Sequence, residues 1–101
     1  MNFTTQKQND TLRVTMQGQF TFTDNPSFRG IMDELAKSEI RQVTLDFAGV
    51  DFIDSAGLGM LLLLRDLCQE RQIQATLENP QGQVEKIFLI SKFDQLFTIR
   101  K

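Results

Sequence analysis

Ser55 lies between two carboxylates and two glycines in the run Asp51-Phe52-Ile53-Asp54-Ser55-Ala56-Gly57-Leu58-Gly59. Its hydroxyl can cap a helix, accept a phosphoryl group or attack a substrate, and the rest of the chain restricts that choice. There is no histidine, which removes Ser–His–Asp and Cys–His catalysis and every histidine metal site. Gly-x-Ser-x-Gly is missing, so a serine hydrolase is disfavoured. No Gly-Lys-Ser/Thr follows the glycines, which excludes a P-loop. Asp46, Asp51 and Asp54 offer a rival chemistry, a magnesium site with a phosphate-accepting aspartate. Such a site wants further acidic residues near the end of the first strand and a late lysine aimed at it. The opening strands end in Met16, Gln17 and Gly18 instead, and this phosphotransfer reading is the least favoured.

The elements that must position Ser55 are readable on either side of it. Val43, Leu45 and Phe47 alternate with Thr44 and Asp46, a half-buried strand over 42–47. Met60, Leu61, Leu64, Leu67 and Cys68 recur at helical spacing, a helix from about Ser55 to Arg71. The turn between them therefore delivers Ser55 to a helix N-terminus. The first N–H groups there have no partner within the helix, and the end carries partial positive charge. Asp54 or Ser55 can be the N-cap, since either side chain accepts from those groups. Ser55 is expected near the surface, at a place suited to an anion.

The remaining elements follow the same logic. Leu12, Val14 and Met16 alternate with polar residues in a strand ended by Gly18, and residues 3–7 pair with it as a hairpin across Gln8-Asn9-Asp10. Phe20 and Phe22 fall in the connection that follows. Asn25-Pro26 reads as an N-cap and first helical position, leading into an amphipathic helix through Phe28, Ile31, Met32, Leu35 and Ala36. Ile73, Ala75 and Leu77 mark another strand, and Asn79-Pro80-Gln81-Gly82 a loop. A third helix starts at Val84, Ile87 and Phe88 and ends near Ser91, before a tail with Phe93, Leu96, Phe97 and Ile99. Strand–helix–strand at 42–78 requires parallel neighbours, whereas the opening hairpin is antiparallel. The expected fold is α/β (α+β): one domain over 1–101, with a mixed sheet of four or five strands. Alternating strands imply helices mainly on one face.

Composition agrees with a single small core: 101 residues, 41% of them hydrophobic. A formal net charge of −2 without a basic run argues against nucleic acid as a partner. Met1 to Asp10 is polar and lacks a signal-peptide core, and Met60 to Leu64 is too short to cross a bilayer. A soluble, cytosolic chain without direct membrane insertion is expected, and no motif calls for a cofactor or metal. Cys68, the single cysteine, is expected as a small buried hydrophobe.

Ile53-Asp54-Ser55-Ala56-Gly57-Leu58-Gly59, between a Val-x-Leu-Asp-Phe strand and a Leu-rich helix, resembles the signature of the STAS domain, most of all the single-domain bacterial anti-sigma factor antagonists. The likeness extends through Gly18, the Asn79-Pro80 loop and the Phe93–Ile99 ending. After Gly18 the chain departs, with Gln19-Phe20-Thr21-Phe22 where the family has a Leu-Asp-like pair. The resemblance implies that Ser55 is the phosphorylation site. It implies that the unphosphorylated chain sequesters an anti-sigma factor or a switch serine kinase. A serine phosphatase acting on phospho-Ser55 would restore the active form. No catalytic role is implied for the chain itself. A STAS subunit of a transporter, a lipid-trafficking complex or a signalling scaffold is the alternative.

A partner surface also follows. Leu58 and Leu62 lie one turn apart on a helix face shared with Arg65, Asp66 and Gln69, beginning beside Ser55. The partner is expected to dock over Asp54, Ser55, Gly57, Leu58 and Leu62, with Phe20, Phe22 and Asp24 of the Gly18–Asp24 loop beside them.

Overall fold

The alternating residues at the start of the chain form a hairpin. In the computed structural model, which describes residues 1–37 and 39–101, β1 (Asn2–Gln8) and β2 (Thr11–Phe20) are antiparallel. The loop residue Asn9 has a φ of 56°, a left-handed conformation that asparagine tolerates. A short 3-10 turn, Phe22–Asp24, runs directly into α1 (Asn25–Lys37). Then come β3 (Gln42–Ile53), α2 (Ser55–Arg71), β4 (Gln74–Glu78) and α3 (Gly82–Ile90). A second 3-10 turn, Phe93–Gln95, and β5 (Thr98–Arg100) complete the fold.

The strands form one sheet in the order β1-β2-β3-β4-β5, antiparallel at β1–β2 and parallel elsewhere. Val43 lies opposite Ala75 and Leu45 opposite Leu77, the parallel neighbours that strand–helix–strand required. Leu12, Val14, Met16, Val43, Leu45, Phe47 and Leu77 are buried. Two aromatic clusters tie this face to the helices. Phe20 packs between Phe3 and Phe28, at ring distances of 6.2 and 5.2 Å, joining the hairpin to α1. Phe88 packs edge-on to Phe47 at 5.2 Å and stacks on Phe93 at 5.4 Å, joining α3 and the tail to β3. Cys68 is buried as expected, and burial pushes its thiol pKa up to about 11, so it stays protonated and inert.

Three boundaries differ from the sequence reading. β2 does not end at Gly18 but continues to Phe20, because Gly18 takes a φ of 107° within an irregular stretch of the β2–β3 ladder. Only glycine enters that region freely. β3 likewise runs past Phe47 to Ile53, held by the lengthened β2 through Gly18–Val50 and Phe20–Ile53. The helical N-cap also lies earlier than Asn25. Thr21 is the extended residue before the 3-10 turn, and its N–H donates to Asp24 Oδ2 at 2.9 Å.

The opposite sheet face is polar. Arg13 reaches both Asp46 and Glu78 at 3.0 Å. Partial burial opposes ionisation of Asp46. The Ala48 N–H at 2.9 Å, the Asn79 amide at 3.2 Å and Arg13 outweigh it and hold the pKa below the ordinary carboxylate value. A carboxyl depressed on folding adds stability above its unfolded pKa, and the gain is lost as pH falls through the folded value. The melting temperature should therefore drop as pH is lowered below about 4. Asp46→Asn should make that drop shallower; identical pH slopes in the two proteins would contradict the account.

Candidate functional site

The lengthened β2 and β3 end side by side, and the start of α2 is built on that junction. The Asp54 N–H donates to the Phe20 carbonyl at 3.2 Å, and the Asp54 carbonyl accepts the Leu58 N–H at 3.1 Å. Asp54 is the N-cap: Oδ1 accepts the Gly57 N–H at 2.7 Å, and Oδ2 makes a long 3.4 Å contact with the Phe22 N–H. One residue thus fastens the end of β2, the 3-10 turn and the first turn of α2. With Asp54 as cap, Ser55 becomes the first helical residue, exposed to solvent. Its hydroxyl is not consumed by capping.

Gly57 fixes how closely α2 approaches this junction. A Cβ there would stand 2.7 Å from both Ile53 Cγ1 and the Phe20 carbonyl oxygen. The backbone carbonyl cannot swing aside, so α2 would have to move. Gly57→Ala is expected to cost about 1–3 kcal/mol, the usual range for overpacking. Chemical denaturation would measure it; an unchanged midpoint would show that the contact relaxes freely.

A contact from the far side of the sequence completes the support. β4 ends at Glu78, so β3 beyond Asp46 has no β4 partner. The Gln83 side chain of α3 stands in for one, accepting the Ile53 N–H at 3.1 Å and donating to the Ile53 carbonyl at 3.0 Å. The residue directly before the Asp54-Ser55 pair is thereby clamped on both backbone groups. Sequence reasoning missed Gln83, which carries no local pattern.

The residues expected to meet a partner separate into two sets. Ser55 is exposed, Phe22 is 69% exposed and Leu62 is 39% exposed. Leu58 is half-buried and packs partly on the core, and Asp54 is half-buried in its capping role. Three assignments are corrected. Phe20 is wholly buried between Phe3 and Phe28. Gly57 is buried against Phe20 and Ile53. Asp24 is 8% exposed, occupied by the Thr21 N–H and by the Met1 ammonium 3.5 Å away. All three shape the site from below rather than line it. Leu63, 46% exposed, is a surface residue that the sequence reading passed over. At about 100° per residue, Leu62 lies almost directly above Ser55, two turns on, with Leu58 and Leu63 to either side.

Two of the three aspartates of the rival magnesium chemistry are engaged in separate places. Asp46 is engaged by Arg13, Ala48 and Asn79 on the polar sheet face, and Asp54 by the N–H groups of Gly57 and Phe22.

A mixed five-stranded sheet, one helix-covered face and a serine at the start of the central helix define a small α/β domain organised around one helix N-terminus. The chain belongs to the STAS domain family, whose pattern matches residues 2–101. A STAS-domain containing protein of Pseudomonas aeruginosa is 40% identical over 88 residues, covering 87% of this chain and 86% of that protein. Sulfate transporter 3.1 of Arabidopsis thaliana is 32% identical over 57 residues, 56% of this chain but only 9% of the transporter. Among solved structures, a putative anti-sigma factor antagonist from Thermotoga maritima superposes with a TM-score of 0.90 at 19% identity, covering 98% of this chain and 86% of that one. The unphosphorylated form of the anti-sigma factor antagonist SpoIIAA superposes at 0.78 with 18% identity, covering 99% and 87%. The phosphorylated form of SpoIIAA, described as a Bacillus cell fate determinant, also gives 0.78, at 17% identity and 99% and 92% coverage.

Proposed function

We propose that this chain is an anti-sigma factor antagonist, a binding module switched by phosphorylation of Ser55. Unphosphorylated, it sequesters an anti-sigma factor or a related switch serine kinase in the cytoplasm; a serine phosphatase acting on phospho-Ser55 restores it. It is the kinase's substrate and has no catalytic residues of its own. The observation that carries this reading is the exposed Ser55 at the first position of α2, freed from capping by Asp54 and adjoined by the exposed Leu62 and Phe22. The partner covers Ser55, Phe22 and Leu62, with Leu58 and Leu63 at the margins. The fold shared with SpoIIAA, solved with and without phosphate, supports the same reading.

Mass spectrometry of the chain recovered from cells, or incubated with its cognate kinase and ATP, tests it. Phosphate on Ser55 is expected; phosphate elsewhere with Ser55 untouched overturns the assignment. The match to a plant sulfate transporter gives the module-of-a-transporter alternative its own signature. In that case Ser55→Asp would leave partner recovery unchanged.

A further inference from the structure

The two edges of the sheet are protected very differently. Edge strands in native proteins are kept from pairing by short length, charge, proline or bulges. β5 is three residues long, contains Arg100 and is followed by Lys101. β1 has seven residues, six of them exposed, with no proline and Lys7 as its one charge. All seven positions pair with β2 in unbroken register, so no bulge turns the edge aside.

The hairpin sets which groups face outward. With a two-residue loop at Asn9-Asp10, Gln8 and Thr11 form the closing bonded pair. Bonding alternates from there, so Gln6, Thr4 and Asn2 bond to β2. Phe3, Thr5 and Lys7 turn their N–H and C=O groups away from it.

We propose that β1 pairs with β1 of a second copy of this chain, antiparallel and centred on Thr5, joining two sheets into one. The pattern is self-complementary, as a two-fold interface requires. Centring on Thr5 maps the three outward residues onto themselves: Thr5 faces Thr5, and Phe3 of each copy faces Lys7 of the other. Each such pair exchanges both backbone hydrogen bonds. Each Lys7 then stands opposite the half-buried Phe3 rather than opposite a like charge. The two Lys7 residues are four positions apart along the strands, about 13 Å at about 3.3 Å per residue, beyond the screening length of about 8 Å at physiological salt. Centring on Lys7 would instead set like charges face to face. Centring on Thr4 or Gln6 would pair Lys7 with Met1, or Phe3 with Asn9, both outside the strand. The polar side chains of this edge make the association reversible rather than obligate.

Sedimentation equilibrium of the full chain from micromolar to millimolar concentration tests the proposal, together with amide hydrogen exchange by NMR. A monomer–dimer equilibrium is expected. Protection should rise with concentration at Phe3, Thr5 and Lys7, while Thr4 and Gln6 stay protected throughout. Thr5→Pro removes an outward N–H without touching a bond to β2. It should weaken dimerisation about tenfold or more, since an edge proline blocks ladder pairing. Thr5→Lys should also weaken it, with recovery at high salt, because like charges directly opposite repel. A monomer across the whole range would overturn the proposal. So would a dimer that neither substitution weakens, or concentration-dependent protection without this odd-residue pattern.

Discussion

Ser55→Asp is expected to weaken partner binding about a hundredfold or more, with the fold unchanged. The two halves of that expectation have separate causes. Within the domain, charge at the start of α2 meets opposing effects of similar size. The helix end favours an anion by about 0.3–1 kcal/mol. A carboxylate at about 6 Å in water opposes it by about 0.7 kcal/mol, and Asp51 and Asp54 both lie close in sequence. Ser55 is exposed, so nothing in the core must move to admit the charge. At a partner interface the balance is different. Docking over Phe22 and Leu62, as proposed, would remove water from Ser55, and a charge left buried and unpaired costs about 3–5 kcal/mol. At about 1.4 kcal/mol per factor of ten, that is a hundredfold or more in affinity. Ser55→Ala removes the proposed phosphoryl acceptor without adding charge and should bind as the wild type does. Titration calorimetry against the partner, with circular dichroism as a check on folding, would measure both variants. Comparable affinity for Ser55→Asp and wild type would contradict the mechanism.

Phe20→Ala and Phe22→Ala are expected to have opposite consequences, although the residues are two apart. Phe20 is buried between Phe3 and Phe28, and truncating a buried phenylalanine costs about 3–5 kcal/mol. That is a large share of a small domain's total stability of about 5–15 kcal/mol. Phe22 is 69% exposed, so its truncation should change stability by less than about 0.5 kcal/mol. Aromatic residues near an interface centre carry much of its energy, and truncating one there costs about 2 kcal/mol or more. Phe22→Ala should thus lose partner affinity at wild-type stability. Denaturant titration and a binding isotherm on the two variants would separate the effects. A stability loss in Phe22→Ala, or none in Phe20→Ala, would contradict the placement of these side chains.

This pair also shows where the sequence was legible and where it was not. Alternation placed Leu12, Val14, Val43, Leu45 and Leu77 on one buried face, because each strand reads its own two-residue period. Helical spacing placed Met60, Leu61, Leu64 and Cys68 in the core for the same local reason. Phe20 and Phe22 share a strand period, and by that rule they belong to one face. The chain leaves the strand at Thr21 and enters a 3-10 turn at Phe22, which rotates the second ring into solvent. That break follows from Asp24 reaching back to Thr21, a contact with no hydrophobic pattern behind it. The extra length of β2 and β3 was hidden in the left-handed Gly18, which reads in sequence as a stop. The Gln83 clamp on Ile53 spans 30 positions and depends on where α3 lands. Leu63 is exposed because of what the neighbouring elements leave uncovered, which one helix's own periodicity does not contain.

The central claim, that charge at Ser55 releases the partner, is tested most directly by affinity capture with three baits: wild type, Ser55→Ala and Ser55→Asp. Quantitative mass spectrometry of the captured proteins should show an anti-sigma factor or switch kinase held by wild type and Ser55→Ala, and depleted about a hundredfold with Ser55→Asp. Equal recovery of the same proteins by all three baits would contradict it.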